Sequence, residues 1–187
     1  MADRGCRQPK PTSTQLTAHQ PRSSMTIVNG LPVHVVLLHF VMVLVPLTAL
    51  LEIVCGFWRE ARRGQLLWLT LILASVTMVL TPITANAGLW LYELTADPSP
   101  LLREHAARGS TMIYFSVALL VVAIGLVVLR VMEHRSDNPR MIIQIAVGIV
   151  VLVVGISSMI QIYRVSDAGG HSVWDEEIER MKNPHGS

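Results

Sequence analysis

The sequence predicts an all-α membrane protein whose four transmembrane helices form an antiparallel bundle, and three observations lead there. Its 187 residues are 51% hydrophobic and only 15% charged, where a soluble domain carries about 25% charge. Mean hydropathy is +0.49. The charges gather between long apolar runs, the pattern of a chain that crosses a bilayer repeatedly. Four of those runs reach the roughly 20 residues that a hydrocarbon core about 30 Å thick demands of a helix rising 1.5 Å per residue. Because backbone in lipid must satisfy its own hydrogen bonds, each run is a helix.

In chain order, residues 1–24 form a polar tail rich in Thr, Gln, Pro and Ser, without the apolar core of a signal peptide, and read as disordered. Met25 opens the stretch that leads into the first span, so translation is expected to start there. An intact mass that includes residues 1–24 would refute that expectation. Residues 25–175 form the transmembrane domain, with spans at about 31–58, 66–92, 109–129 and 141–163, and residues 176–187 form an acidic polar tail. Pro32 suits a first helical turn, whereas Pro46 and Pro82 lie inside spans one and two and predict kinks. Gly125, Gly148, Gly155, Ser157 and Ser158 leave room for close helix contact in spans three and four. Self-association or docking of another membrane protein would use those two spans, with the lipid bilayer as the general partner.

Loop charge sets the orientation. The first connection carries Arg59, Arg62 and Arg63 and the third Arg130, Arg135 and Arg140, while the second mixes Glu93, Asp97 and Glu104 with Arg103 and Arg108. Lys and Arg concentrate on the cytoplasmic side, which puts both termini outside. Trp58 and Trp68 then mark the inner interface, and Trp90, Tyr92, Tyr114 and Tyr163 the outer one.

Several function classes drop out. A net charge of +2, with no basic block interleaved with aromatics, gives no footprint for nucleic acid. Cys6 in the tail and Cys55 in an apolar helix are not expected to form a disulfide, and no paired-cysteine spacing points to thiol redox chemistry or covalent haem. No nucleophile elbow, phosphate loop, dinucleotide fingerprint or zincin motif is present, so no catalytic residue is assigned.

The histidines are the informative residues. His34 and His39 open span one, His105 precedes span three and His171 follows span four, all on the outer side in the assigned orientation. Bundles build ligand sites from side chains on facing helices, and imidazole ligates haem and transition metals. His34 and His39 lie about 140° apart around a helix, so His105 with either is the more plausible pair. Thr84 and Asn86 are expected to face the bundle interior, with Asp167 and His171 lining the same polar pocket. Glu52, the one acid inside a span, is expected to pair with Arg59 or a neighbouring arginine. Gly169 and Gly170 allow a sharp turn, by which the segment after span four would fold back as a cap and return Trp174 to the interface.

Together these stretches resemble a known family. The residues carrying the resemblance are Asn29-Gly30-Leu31-Pro32-Val33-His34 with His39, Ala87-Gly88-Leu89-Trp90-Leu91, His105-Ala106-Ala107-Arg108-Gly109, and Tyr163-Arg164-Val165-Ser166-Asp167-Ala168-Gly169 followed by Val173-Trp174. They resemble the actinobacterial branch of the membrane family called domain of unknown function 2231, over about residues 25–175. The resemblance implies a four-helix protein of the bacterial plasma membrane, with His34, His39 and His105 at the family's recurrent histidines, and it brings no settled activity. Where similar chains carry acids, this one has Asn86 and Leu89. Two readings stay open: an accessory or structural subunit with an outward-facing, histidine-bearing polar pocket, or a redox protein holding haem b or a transition metal through His105 with His39 or His34.

Overall fold

The computed structural model describes residues 27–28, 31–93, 100–135 and 141–182, with side chains placed for all of these except 27–28, 31–35, 91 and 172–180. A two-residue antiparallel ladder, β1 (Ile27–Val28) with β2 (Leu31–Pro32), leads into α1 (Val33–Phe57). A short α2 (Arg59–Arg63) follows, then α3 (Leu66–Glu93), α4 (Pro100–Arg135) and α5 (Met141–Lys182). α1 stops because Trp58 takes extended backbone angles, φ −107° and ψ 106°. Pro46 and Pro82 sit inside α1 and α3, and both helices continue through them.

Each long helix buries a stripe with alternating steps of three and four residues, the seam spacing of a supercoiled bundle. On α1 the stripe is Val41, Val45, Thr48, Glu52 and Cys55, and on α3 it is Leu67, Thr70, Ala74, Thr77, Thr81 and Thr84. On α4 it runs Met112, Ser116, Leu119, Ala123 and Leu126. α5 contributes Val151, Gly155, Ser158, Ile162 and Val165. α1 packs against α3 and α5, α4 packs against the same two, and α1 and α4 meet only across the diagonal. Contacts between neighbours run antiparallel: Thr48 meets Thr77 while Cys55 meets Thr70. Outside the stripes, Val43, Leu50, Ile72, Val79, Val121, Val128, Val153 and Ile160 are exposed, which suits a lipid solvent.

Two glycines of α5 are used inside the bundle. A Cβ on Gly155 would lie 3.1 Å from Ile53 Cδ1, and one on Gly148 would lie 3.5 Å from the Phe57 ring. Gly125 on α4 faces open space, with nothing within 4 Å of its Cβ position.

Two expectations change. The third helix begins at Pro100 rather than near residue 109. The fourth does not turn at Gly169-Gly170, because α5 runs unbroken to Lys182 and takes in residues expected to form a returning cap and part of the tail. Glycine permits a turn without enforcing one. Here the missing Cβ of Gly169 has another use, since a Cβ there would meet His105 Cε1 at 2.9 Å. Residues 1–24, Met25, Cys6 and the side chains of His34 and Trp174 lie outside the described residues.

Candidate functional site

Three polar features interrupt the apolar bundle, one at each end and one in its core. At one end, His105 leans from α4 onto α5. Its Nδ1 is 2.9 Å from the carbonyl of Val165, and Gly169, one turn further along α5, lets the imidazole lie against the backbone. Arg108, one turn along α4, donates to the Arg164 carbonyl at 3.3 Å and pairs with Glu104. Gln161 returns the contact from α5 by donating to Thr111 Oγ1 at 2.8 Å and to the Arg108 carbonyl at 3.3 Å. The His105–Gly109 and Tyr163–Gly169 stretches, far apart in sequence, thus form one seam.

The other residues expected in a pocket at this end distribute differently. Thr84 is buried and donates to the Leu80 carbonyl at 2.8 Å. Asn86 lies on the exposed flank of α3 instead of facing the interior, since residues two apart on a helix point about 200° apart. Asp167 and His171 approach to 3.6 Å one turn apart on α5, both about half exposed. His39 is on an exposed flank of α1, off the stripe that buries Val41 and Val45. Among the described residues, no three His, Cys, Asp or Glu side chains gather as they would around a metal ion.

At the opposite end a buried ion pair ties four helices together. Arg62, on α2 and 1% exposed, donates from Nε and Nη2 to the two carboxylate oxygens of Glu133 on α4, at 3.2 and 2.7 Å. Its Nη1 donates to the Cys55 and Gly56 carbonyls at 2.8 and 3.0 Å. Those are the bare last-turn carbonyls of α1, so the guanidinium caps that helix and meets its negative dipole end. Gln144 on α5 donates to Glu133 at 2.8 Å, and Arg59 approaches it at 3.8 Å.

The third feature is the hydroxyl-lined core. Thr70, Thr77, Thr81 and Ser158 each donate to the carbonyl one turn back in their own helix, at 2.7 to 2.8 Å. That habit lets a hydroxyl be buried at little cost. Among them Glu52 is fully buried, and neither carboxyl oxygen has a hydrogen-bond partner among the described residues. The expected pairing with Arg59 does not occur. Glu52 lies on the inward stripe of α1, whereas Arg59, beyond the helix end, approaches Glu133.

Charge counting by loop concealed the Arg62–Glu133 clamp. Phase exposes only its α4 half: Glu133 stands seven residues after buried Leu126 on one helix, whereas Arg62 lies beyond the break at Trp58. The threonine stripe was equally legible from its spacing of three and four.

Among the described residues, four helices are long and apolar enough to cross a membrane, and with their lipid-facing flanks and polar interior they define a multi-pass membrane protein. The model of a family described as predicted membrane protein, DUF2231, matches residues 30–182, and the chain belongs to that family. No curated protein and no solved structure matches the chain.

Proposed function

We propose that this chain is a structural or accessory subunit of the bacterial plasma membrane, whose histidine-bearing end is a helix fastening. The observation that supports this reading is the bond of His105 Nδ1 to the Val165 carbonyl, 2.9 Å across the α4–α5 seam with Gly169 beneath the ring. An interhelical hydrogen bond of this kind is worth about 1 kcal/mol or a little less in a membrane bundle. Gly148 and Gly155 are taken up by contacts within the bundle, which leaves the α4 face at Gly125, flanked by Val121 and Val128, to meet another membrane protein. The arginine-bearing connections face the cytoplasm and both termini lie outside, as the positive-inside rule requires. In a Cys6→Ser background, an impermeant maleimide should label Ala107→Cys in intact spheroplasts but Glu60→Cys only after permeabilisation. The reverse pattern would invert the orientation.

One observation favours the redox reading. A ring Nδ1–H held by a backbone carbonyl is the usual orientation of a ligating histidine, since it leaves the Nε2 lone pair for a metal. His39 or His34 would then supply the second ligand to haem b or a transition metal. The visible spectrum and metal content of protein purified in mild detergent from its native membrane separate the two. A colourless, metal-free protein whose His39→Ala, His105→Ala double variant still assembles supports the structural role. A Soret band or stoichiometric metal lost in that variant establishes the redox one.

A further inference from the structure

A carboxyl group with no partner in a membrane interior calls for a ligand. Glu52 is 0% exposed, both oxygens are unpartnered among the described residues, and it sits within the span Val36–Phe57. A bare carboxylate in such surroundings is costly, because hydroxyls and apolar walls do not replace its hydration. Three things can neutralise it: a basic side chain, a metal cation or a proton.

Among the described residues, no basic side chain is placed to do so. On the elements packed against α1, residues 66–91 of α3 and 141–163 of α5 contain no Asp, Glu, Lys, Arg or His, and the same holds for residues 109–129 of the diagonal helix α4. Tyr114 and Tyr163 in those stretches are exposed. On α1 itself the nearby ionisable group is Cys55, whose thiol contacts Thr70 Oγ1 at 3.7 Å. From α2, Arg62 reaches this end of α1 with Nε and Nη2 on Glu133 and Nη1 on the Cys55 and Gly56 carbonyls. His39 stands about 20 Å further along the helix at 1.5 Å per residue, on an exposed flank.

A metal cation fits poorly as well. Hard cations gather about six oxygen ligands. Here a single carboxylate stands without a second acid, and Thr48 Oγ1 is engaged with Thr77 Oγ1 at 3.4 Å. A proton needs no further ligands, since it neutralises the carboxyl by itself.

The geometry points to Glu52 as a proton-binding site in the membrane interior, about 7 to 8 Å along α1 from its C-terminal end. The nearer exit is the end closed by Arg62 and Glu133. With no second carboxyl in residues 33–57, 66–91, 109–129 or 141–163, this is a site that holds a proton, not a chain that relays one. Release of the proton requires water to reach Glu52 or the bundle to open, so occupancy is coupled to packing. The hydroxyls of Thr48 and Thr77 give the acid neutral surroundings on the α1–α3 side.

Infrared difference spectroscopy on the full chain in lipid nanodiscs tests this directly, comparing wild type with Glu52→Gln in light and heavy water. At neutral pH the wild type should show the carbonyl stretch of a protonated carboxylic acid, shifted by deuteration and missing from Glu52→Gln. The unfolding midpoint of the Gln variant should be unchanged, because an amide imitates the neutral acid in shape. If Glu52→Gln removes only carboxylate bands at neutral pH, the proposal is wrong, and replacing sodium by an organic cation then asks whether a metal ion was the true occupant. Should the Gln variant not fold, carbon-13 glutamate in the wild-type chain carries the same test. An isotope-shifted acid band upholds the site, and its absence overturns it.

Discussion

Removing the Glu133 carboxylate is the sharpest perturbation of this fold. In Glu133→Ala, Arg62 keeps its contacts to the Cys55 and Gly56 carbonyls but loses both charge-assisted bonds, at 2.7 and 3.2 Å, while remaining 1% exposed. Breaking a buried pair from one side leaves an uncompensated charge and costs about 3–5 kcal/mol. Gln144 also loses its 2.8 Å bond, at about 1 kcal/mol. The loss should therefore reach at least 3 kcal/mol, read as a reduced unfolding free energy in a detergent titration followed by circular dichroism. Replacing both partners by apolar groups removes the stranded charge, so Arg62→Leu with Glu133→Leu should lose far less stability than the sum of the two single changes. A Glu133→Ala loss below about 1 kcal/mol, or strict additivity in the double variant, would show that water already solvates the pair and that the clamp does not hold the bundle.

Other perturbations separate close contacts from open faces. Gly169→Ala drives a methyl to 2.9 Å from His105 Cε1 and should cost about 1–3 kcal/mol through displacement of the ring. The same change in a His105→Ala background should cost almost nothing, and equal costs in both backgrounds would remove the ring from the account. Gly155→Leu must push Ile53 and the Ala49 carbonyl away, at several kcal/mol by the cost of overpacking. Gly125→Ala meets open space and should raise thermal stability by up to about 1 kcal/mol through helix propensity. Thr77→Val, whose hydroxyl donates within its own helix at 2.8 Å, should cost no more than about 1 kcal/mol. A larger loss would mean that the Thr48 contact matters more than its 3.4 Å length suggests.

The four spans were legible because span length is set by bilayer thickness, and no local detail can disguise 20 apolar residues. Helix ends were less so. His105, Arg108 and Gln161 look like the polar border of a membrane segment, yet they are consumed by α4–α5 contacts that let both helices run on past the apolar core. Gly169 reads as a turn from sequence because its second possible use, room for a ring on another helix, depends on a residue 64 positions earlier. Asn86 departs from the expected inward position through helical phase alone, and Glu52 lacks its expected arginine although one is near in sequence. Arg59, seven residues away, looks like a partner, yet it approaches Glu133, 74 residues beyond it in the chain. Which residues pair over such distances leaves no local trace, whereas burial at helical spacing, as on the threonine stripe, does.

Lipid gives these helices no hydrophobic reason to prefer one another, so the polar contacts fix their register. α4 is held at both ends: His105 and Arg108 meet α5 near one terminus, and Glu133 meets Arg62 and Gln144 near the other. Sliding α4 by one turn, about 5.4 Å, would break both sets together. The α1–α3 seam is held more lightly, by side-chain contacts of 3.4 Å between Thr48 and Thr77 and 3.7 Å between Cys55 and Thr70. Glu52 lies between those two contacts on α1. A motion that hydrates its carboxyl therefore meets less resistance along α1–α3 than along α4–α5. Cross-linking α1 to α3 should slow hydrogen–deuterium exchange at Glu52, while cross-linking α4 to α5 should leave it unchanged. Equal effects from the two cross-links would mean that the bundle opens as a whole.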